Sequence, residues 1–231
     1  MKLIFIHGSG ACGDIWYYQK TYFKGAEAPD LPGHPAGELC TSVEAYTDWL
    51  HSYIQELKEK DIVLAGHSLG GGIVLLHAQR YPQDVKAIIS IASGARLRVK
   101  QVILDYIKKG MNDSKWWMDD FVEPLYKTVD ESFRKMLLPK LATVGPAAQL
   151  NDFLCCDKFD IMDKIGQINI PALAIIGDQD NMTPLKYSQY LNKNMPNCRM
   201  VLIEGAGHHI FMEKPEQVNH SIENFLKELG Y

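Results

Sequence analysis

Short, continuous apolar runs alternate along this chain with longer stretches whose apolar residues recur every three or four positions. Five runs are rich in β-branched residues: Leu3–Ile6, Ile62–Ala65, Ala87–Ile91, Leu173–Ile176 and Met200–Ile203. Each is bounded by Gly, Pro, Asp or a charged residue. Continuous apolarity, in place of in–out alternation, predicts strands buried on both faces, as in a parallel sheet. Ala26–Pro29, before the turn Asp30-Leu31-Pro32-Gly33, is a weaker strand candidate.

Helical patterns lie between these runs. Thr41-Ser42-Val43-Glu44 has the T-x-x-E form of a capping box, and Val43, Tyr46, Leu50, Tyr53, Ile54 and Leu57 follow on one face. Ile73–Tyr81 is apolar and stops at Pro82. Thr183 and Pro184 read as the N-cap and first residue of another helix. Val218, Ile222, Phe225, Leu226 and Leu229 give the last helix one stripe. This alternation predicts an α/β fold: a mostly parallel central sheet of about six strands with helices on both faces.

Residues 98–161 interrupt the rhythm. They contain no strand-like run and are bulky, with Trp116, Trp117, Met118, Phe121, Tyr126, Phe133, Met136, Leu137 and Leu138. The segment reads either as an extra helical layer packed on the sheet or as a lid inserted between two strands; ligands of open α/β sheets bind beyond the C-terminal strand ends, so a helical lid there is the expectation. The expected organisation is a core of residues 1–97 and 162–231 with a helical insertion, 98–161.

Composition narrows the function classes. The length of 231 residues suits one domain with a large insertion. Values of 46% hydrophobic and 23% charged exclude a disordered, collagen-like or coiled-coil chain. Lys+Arg number 24 against 28 Asp+Glu, a net charge of −4, so nothing here would grip a phosphate backbone and nucleic acid is not expected. The first apolar run stops at His7 and Gly8, short of a signal-peptide core. No run reaches the ~18 apolar residues of a membrane span. Five cysteines without a CxxC suggest neither a disulfide framework nor a zinc site and fit a reducing compartment. The expectation is a cytoplasmic monomer or homodimer acting on a small molecule, away from membranes.

The strongest chemical signal is Gly66-His67-Ser68-Leu69-Gly70, a G-x-S-x-G between a predicted strand and a predicted helix. That strand–turn–helix setting is what a nucleophile elbow requires. Gly71 and Gly72 extend the small face of the helix, and its N-terminus aims N–H groups at the serine. A serine hydroxyl needs a neutral imidazole to take its proton, and the imidazole needs a carboxylate to hold its tautomer. His208 and His209 follow the Met200–Ile203 run, and His7, His34 and His67 also lie near strand ends; His51, His77 and His220 read as solvated surface residues. Asp178 and Asp180 follow Leu173–Ile176, where either could be the carboxylate and either could simply make a turn. His7-Gly8-Ser9-Gly10, after the first strand, is a glycine-rich loop able to offer a backbone N–H to an oxyanion.

Together these motifs resemble the α/β-hydrolase family along essentially the whole chain. They occur in family order: His7-Gly8-Ser9; Asp30-Leu31-Pro32-Gly33-His34; Gly66 to Gly70; Gly177 to Asp180; and Gly205-Ala206-Gly207-His208 through Glu213 and Pro215. The resemblance implies Ser68 as nucleophile, Asp180 as orienting acid and His208 as base. It implies an oxyanion hole from the N–H groups of Ser9 and Leu69, and the insertion as the family's cap. The family's sheet usually begins with two further strands; here the first run, Leu3–Ile6, is the one that leads into the H-G loop, so a sheet of about six strands is expected. Haloalkane dehalogenases and epoxide hydrolases of this fold carry Asp at the elbow, whereas this chain has Ser68.

The expected activity is therefore that of a serine carboxylesterase on small, short-acyl esters, without metal or organic cofactor. The expected pocket is lined by His7, Gly8, Trp116 and Trp117. Enzymatic alternatives are a C–C bond hydrolase, a perhydrolase, a thioesterase or a lactonase. From another class, the alternative is a hydrolase-derived receptor for a small ligand.

Overall fold

A computed structural model describes residues 1–231. Five parallel strands form one sheet in the order β1-β2-β3-β4-β5. They are β1 (Lys2–Ile6), β2 (Ile62–His67), β3 (Ala87–Ile91), β4 (Ala172–Gly177) and β5 (Cys198–Ile203). The register aligns Ile4 with Leu64, Leu64 with Ile88, Ile89 with Leu173, and Ala174 with Met200. Leu3, Phe5, Val63, Ala65 and Ile89 enter one buried cluster, while Ile4, Ile6, Ile62, Leu64 and Ile88 enter the other. Successive side chains of a strand point to opposite faces, so a sheet covered on both sides needs uninterrupted apolar runs.

One face of the sheet carries α1 (Tyr17–Tyr22), α9 (Ile210–Glu213) and α10 (Pro215–Glu228); the other carries α2 (Val43–Leu57), α3 (Leu69–Arg80) and α8 (Lys186–Asn194). Between β3 and β4 the chain forms α4 (Gln101–Gly110), α5 (Ser114–Trp116), a π-helical turn (Trp117–Val122), α6 (Glu123–Leu125) and α7 (Glu131–Lys158). A bridge between Arg96 and Asp160 closes the ends of this segment. Helix α7 breaks at Gly145, whose φ is 82°. The residue before a proline avoids the helical region, so Pro146 begins a second helical stretch. No helix is long and apolar enough to cross a membrane.

The structure departs from the sequence reading at four points. The sheet has five strands because Ala26–Pro29 contributes one bridge, Glu27 with Ile4. Glu27 exchanges both backbone bonds with β1, but the next donor in register is Pro29, which has no N–H. The N-cap of α2 is Ser42, not Thr41: its Oγ accepts the Ala45 N–H at 3.1 Å. Helix α8 starts at Lys186, because the Thr183 hydroxyl donates to Asp180 Oδ2 at 2.7 Å and caps nothing. His77 is fully buried, since α3 is covered on all sides from Leu69 to Ala78, and its Nε2 lies 3.3 Å from Asp84 Oδ2; His51 pairs its Nδ1 with Asp84 at 2.7 Å. His220 is exposed, as expected.

Candidate active site

Ser68 occupies the sharp turn from β2 into α3 with φ 53° and ψ −116°. Such angles are strained for a residue with a side chain and persist only where neighbours enforce them. Here a Cβ on Gly66 would lie 2.1 Å from the Gly70 carbonyl oxygen, and one on Gly70 would lie 2.3 Å from that of Ile6. The end of β3 clamps the turn: Ser68 N–H donates to the Ile91 carbonyl at 3.1 Å, and Ser93 Oγ donates to the Ser68 carbonyl at 2.6 Å. Leu69 is the first residue of α3, so its N–H has no partner one turn back.

Asp180 and His208 come from the loops after β4 and β5. His208 Nδ1 lies 2.9 Å from Asp180 Oδ2. Asp180 Oδ1 accepts the Met182 and Thr183 N–H groups, each at 2.8 Å. Burial alone would raise the Asp180 carboxyl; the charge of His208 and the hydrogen bonds from His208 and Thr183 outweigh it and hold the group below its ordinary value. Nδ1–H donation to this carboxylate leaves the Nε2 lone pair free to accept a proton. Ser68 Oγ makes no hydrogen bond to His208. Asp178 is exposed, and its Oδ1 accepts the Gly205 N–H at 2.8 Å.

Two further contacts hold the His208 loop. His67 Nε2 donates to the His208 carbonyl at 3.0 Å, linking the elbow to the loop. Glu213 Oε2 accepts the Gly207 N–H at 2.6 Å. His67 is kept neutral well below its ordinary value by burial and then by the His208 and His209 rings. His209 is pushed down to about 3 by burial, then by His208, and its ring stacks 4.4 Å from Tyr126.

The family model that describes the alpha/beta hydrolase family matches residues 3–221. The chain belongs to this family. It is 27% identical over 206 residues to a pimeloyl-[acyl-carrier protein] methyl ester esterase of Neisseria meningitidis, covering 82% of this chain and 78% of that one. Among solved structures it is similar to a thermophilic esterase, with TM-score 0.86, 29% identity and coverage of 99% and 90%. A bromoperoxidase from Bacillus anthracis shares the fold, with TM-score 0.88, 24% identity and coverage of 98% and 91%.

The remaining candidate residues of this α/β-hydrolase lie as follows. His7 is fully buried; its Nε2 accepts the Leu31 N–H at 2.9 Å and its Nδ1 donates to the Gly8 carbonyl at 2.9 Å. Burial and then His34 lower its imidazole to about 3. A Cβ on Gly8 would lie 2.8 Å from His67 Nδ1 and 3.2 Å from Ser68 Cβ, so this glycine lets the H-G loop approach the elbow. Ser9 is half-buried, with its Oγ 3.6 Å from Cys156 Sγ. Trp117 is buried, and its Nε1 donates to Gln149 Oε1 at 2.6 Å. Trp116 is half-buried beneath Lys109 Nζ, 3.7 Å from its ring centre. Clefts of about 400 and 310 Å³ open beside Tyr22 and Leu226 and beside Arg96 and Tyr187; neither is lined by Ser68, Asp180 or His208.

Asp152, absent from the sequence reading, is fully buried on the second half of α7 and bonds Gly10, His34 and Tyr46. Three metal-type donors, on His51, His77 and Asp84, lie within 4.8 Å of one another. His51 and Asp84 are already a hydrogen-bonded pair, and His77 Nδ1 lacks the outer partner that a metal-bound imidazole normally keeps.

Proposed function

We propose that this α/β-hydrolase is a serine carboxylesterase that cleaves small, short-acyl esters through an acyl-enzyme. The observation that carries the reading is Ser68 held in a strained turn beside a loop in which His208 Nδ1 meets a buried Asp180 at 2.9 Å. The esterases among its relatives support ester cleavage.

In this mechanism Ser68 Oγ attacks the ester carbonyl carbon while His208 Nε2 takes the hydroxyl proton. Asp180 stabilises the imidazolium by accepting from Nδ1 and does not itself take up the proton. The Ser9 and Leu69 N–H groups hold the negative oxygen of the tetrahedral intermediate. Its collapse breaks the carbon–oxygen ester bond, and His208 returns the proton to the departing alcohol. A water molecule, deprotonated by His208, then attacks the acyl-Ser68 carbonyl; collapse breaks the bond to Ser68 Oγ, His208 returns the proton to that oxygen, and the carboxylic acid leaves. The helical segment between β3 and β4 acts as the cap that bounds the acyl pocket.

The test is turnover of p-nitrophenyl esters, together with labelling by a fluorophosphonate. Ser68→Ala is expected to lose labelling and to lower kcat by up to ~10⁶. A purified Ser68→Ala protein keeping several per cent of the activity overturns the reading.

A further inference from the structure

We propose that Asp152 is a positioning residue for the oxyanion-binding loop, so that the segment between β3 and β4 sets the electrophilic half of the site as well as covering it. This rests on the assignment of the Ser9 N–H as an oxyanion donor.

In the loop Gly8-Ser9-Gly10 the Gly8 carbonyl accepts from His7 Nδ1 at 2.9 Å and from the Ala11 N–H at 3.3 Å, which fixes the peptide ahead of Ser9; the peptide after Ser9 has no such local bond. Two of its three residues are glycines, and Gly10 sits at φ +63°. Glycine loses the most conformational freedom on ordering, so the second peptide, which ends at Gly10, needs an anchor from outside the loop. Asp152 supplies one: its Oδ2 accepts the Gly10 N–H at 2.9 Å. That amide belongs to the peptide that follows Ser9, so with the preceding peptide held at Gly8 it fixes the Ser9 φ and ψ that aim the Ser9 N–H. The same helical stretch braces the loop twice more. A Cβ on Gly10 would lie 2.7 Å from Gln149 Cγ, and Cys156 Sγ approaches Ser9 Oγ at 3.6 Å.

A buried carboxylate is tolerated only when its lone pairs are taken up. Asp152 is fully buried and meets this demand. Oδ2 also accepts from His34 Nε2 at 2.8 Å, Oδ1 accepts from the Tyr46 hydroxyl at 2.7 Å, and Asn151 Nδ2 lies 3.5 Å from Oδ1. These partners belong to the D-x-P-G-H loop and to α2, so one carboxylate ties three parts of the core to the inserted segment. A bare negative charge behind an oxyanion hole would oppose the intermediate. His34 offsets it: burial would lower its imidazole, but the hydrogen bond and charge of Asp152 raise it, favouring a cation beside the carboxylate.

The experiment compares Asp152→Ala, Asp152→Asn and Tyr46→Phe in the full chain, with active sites counted by fluorophosphonate labelling. Outright loss of an oxyanion donor lowers kcat by about 10²–10³, so its misplacement in Asp152→Ala is expected to lower kcat about 10- to 100-fold with KM nearly unchanged. An acyl trifluoromethyl ketone should weaken by the same factor, while binding of the product carboxylate stays constant. In Asp152→Asn the amide oxygen still accepts from Gly10 and the NH₂ group donates to Tyr46. The weaker neutral acceptor then predicts an intermediate loss of about 3- to 10-fold. Tyr46→Phe removes a bond to the other oxygen and should keep kcat within about twofold while lowering the melting temperature.

A folded Asp152→Ala protein within twofold of wild-type kcat overturns the proposal. So does equal loss in Asp152→Asn and Tyr46→Phe, a comparison that decides the matter if Asp152→Ala does not fold. Ser68→Ala keeps the two levels apart. If it remains active, the serine mechanism itself falls; if it is dead while the Asp152 variants are unimpaired, only the positioning role falls.

Discussion

The Thr183 hydroxyl lies 2.7 Å from Asp180 Oδ2, the same oxygen that meets His208 Nδ1 at 2.9 Å. Thr183 also donates its backbone N–H to Asp180 Oδ1 at 2.8 Å, so one residue grips both oxygens and fixes the plane of the carboxylate. Thr183→Val removes the hydroxyl bond and keeps the backbone one. A net loss of about 1 kcal/mol, felt when the imidazolium forms, corresponds to a roughly fivefold lower kcat. Steady-state kinetics should show this with KM unchanged, and a KM effect alone would mean that Thr183 serves binding instead.

The two aspartates of the loop after β4 should separate cleanly. Asp180→Asn supports the wrong imidazole tautomer and is expected to lower kcat by about 10⁴. Asp178 is exposed and holds the Gly205 N–H, so Asp178→Asn should keep kcat near wild type and show a modest loss of thermal stability. Parallel kinetics and melting curves of the two variants check the assignment, and the reverse ranking transfers the role to Asp178.

These contrasts follow how much of the molecule could be read from the chain. The strands were legible because burial on both faces leaves runs such as Ala87–Ile91 uninterrupted, and that strand has the predicted limits. The elbow was legible because the backbone crowds Gly66 and Gly70 so closely that no other residue fits. The choice of Asp180 over Asp178 came from family resemblance, since two residues in one loop share the same local signals. Asp152 was not legible at all. Its partners Gly10, His34 and Tyr46 are 142, 118 and 106 positions away, and contacts at that range leave no periodicity in a helix. His77 was misread because one histidine inside an apolar helix gives no sign that even its polar side is covered. The missing sixth strand turned on a single N–H that Pro29 lacks.

Acid should destabilise the protein through its buried histidines. His7 and His209 are lowered to about 3, His77 to about 4, and His67 well below 6.5, in each case chiefly by burial. A histidine with a lowered folded-state value is protonated first in the unfolded chain. Its penalty therefore begins as the pH falls below about 6.5 and grows until the folded-state value is reached. Near pH 5 each such group costs about 2 kcal/mol, and unfolding should take up about four protons. His34 is raised, so its contribution is complete below 6.5 and adds no slope there. Asp180 is lowered, and its contribution disappears only as the pH falls below the ordinary carboxylate range. Guanidinium unfolding from pH 7 to 5 measures the slope. His77→Gln, far from Ser68, should reduce the uptake by about one proton. An unchanged slope would show that His77 is already protonated in the folded protein.

The cap reading makes its sharpest prediction through Trp116 and Trp117, which are adjacent but differently placed. Trp117 is buried, its ring 2.9 Å from where a Cβ on Gly110 would stand and its Nε1 bonded to Gln149. Trp117→Ala should cost about 3–5 kcal/mol of stability, as for other buried aromatics. It would also free Gln149, which packs on Gly10, so any activity change would mix folding with site geometry. Trp116 is half-buried against Tyr106 and Lys109, and Trp116→Ala should leave the fold and Ser68 labelling intact. On the cap reading, esters of acyl chains of about two to six carbons should be hydrolysed best, because each methylene that fits adds about 0.8 kcal/mol and one that does not must clash. Trp116→Ala should then move the optimum to longer chains or lower kcat/KM. A series of p-nitrophenyl esters from acetate to laurate measures both. A wild-type optimum at about ten carbons or beyond, or activation at an oil–water interface, would mean that the pocket is open at its far end, since an enclosed apolar pocket bounds chain length.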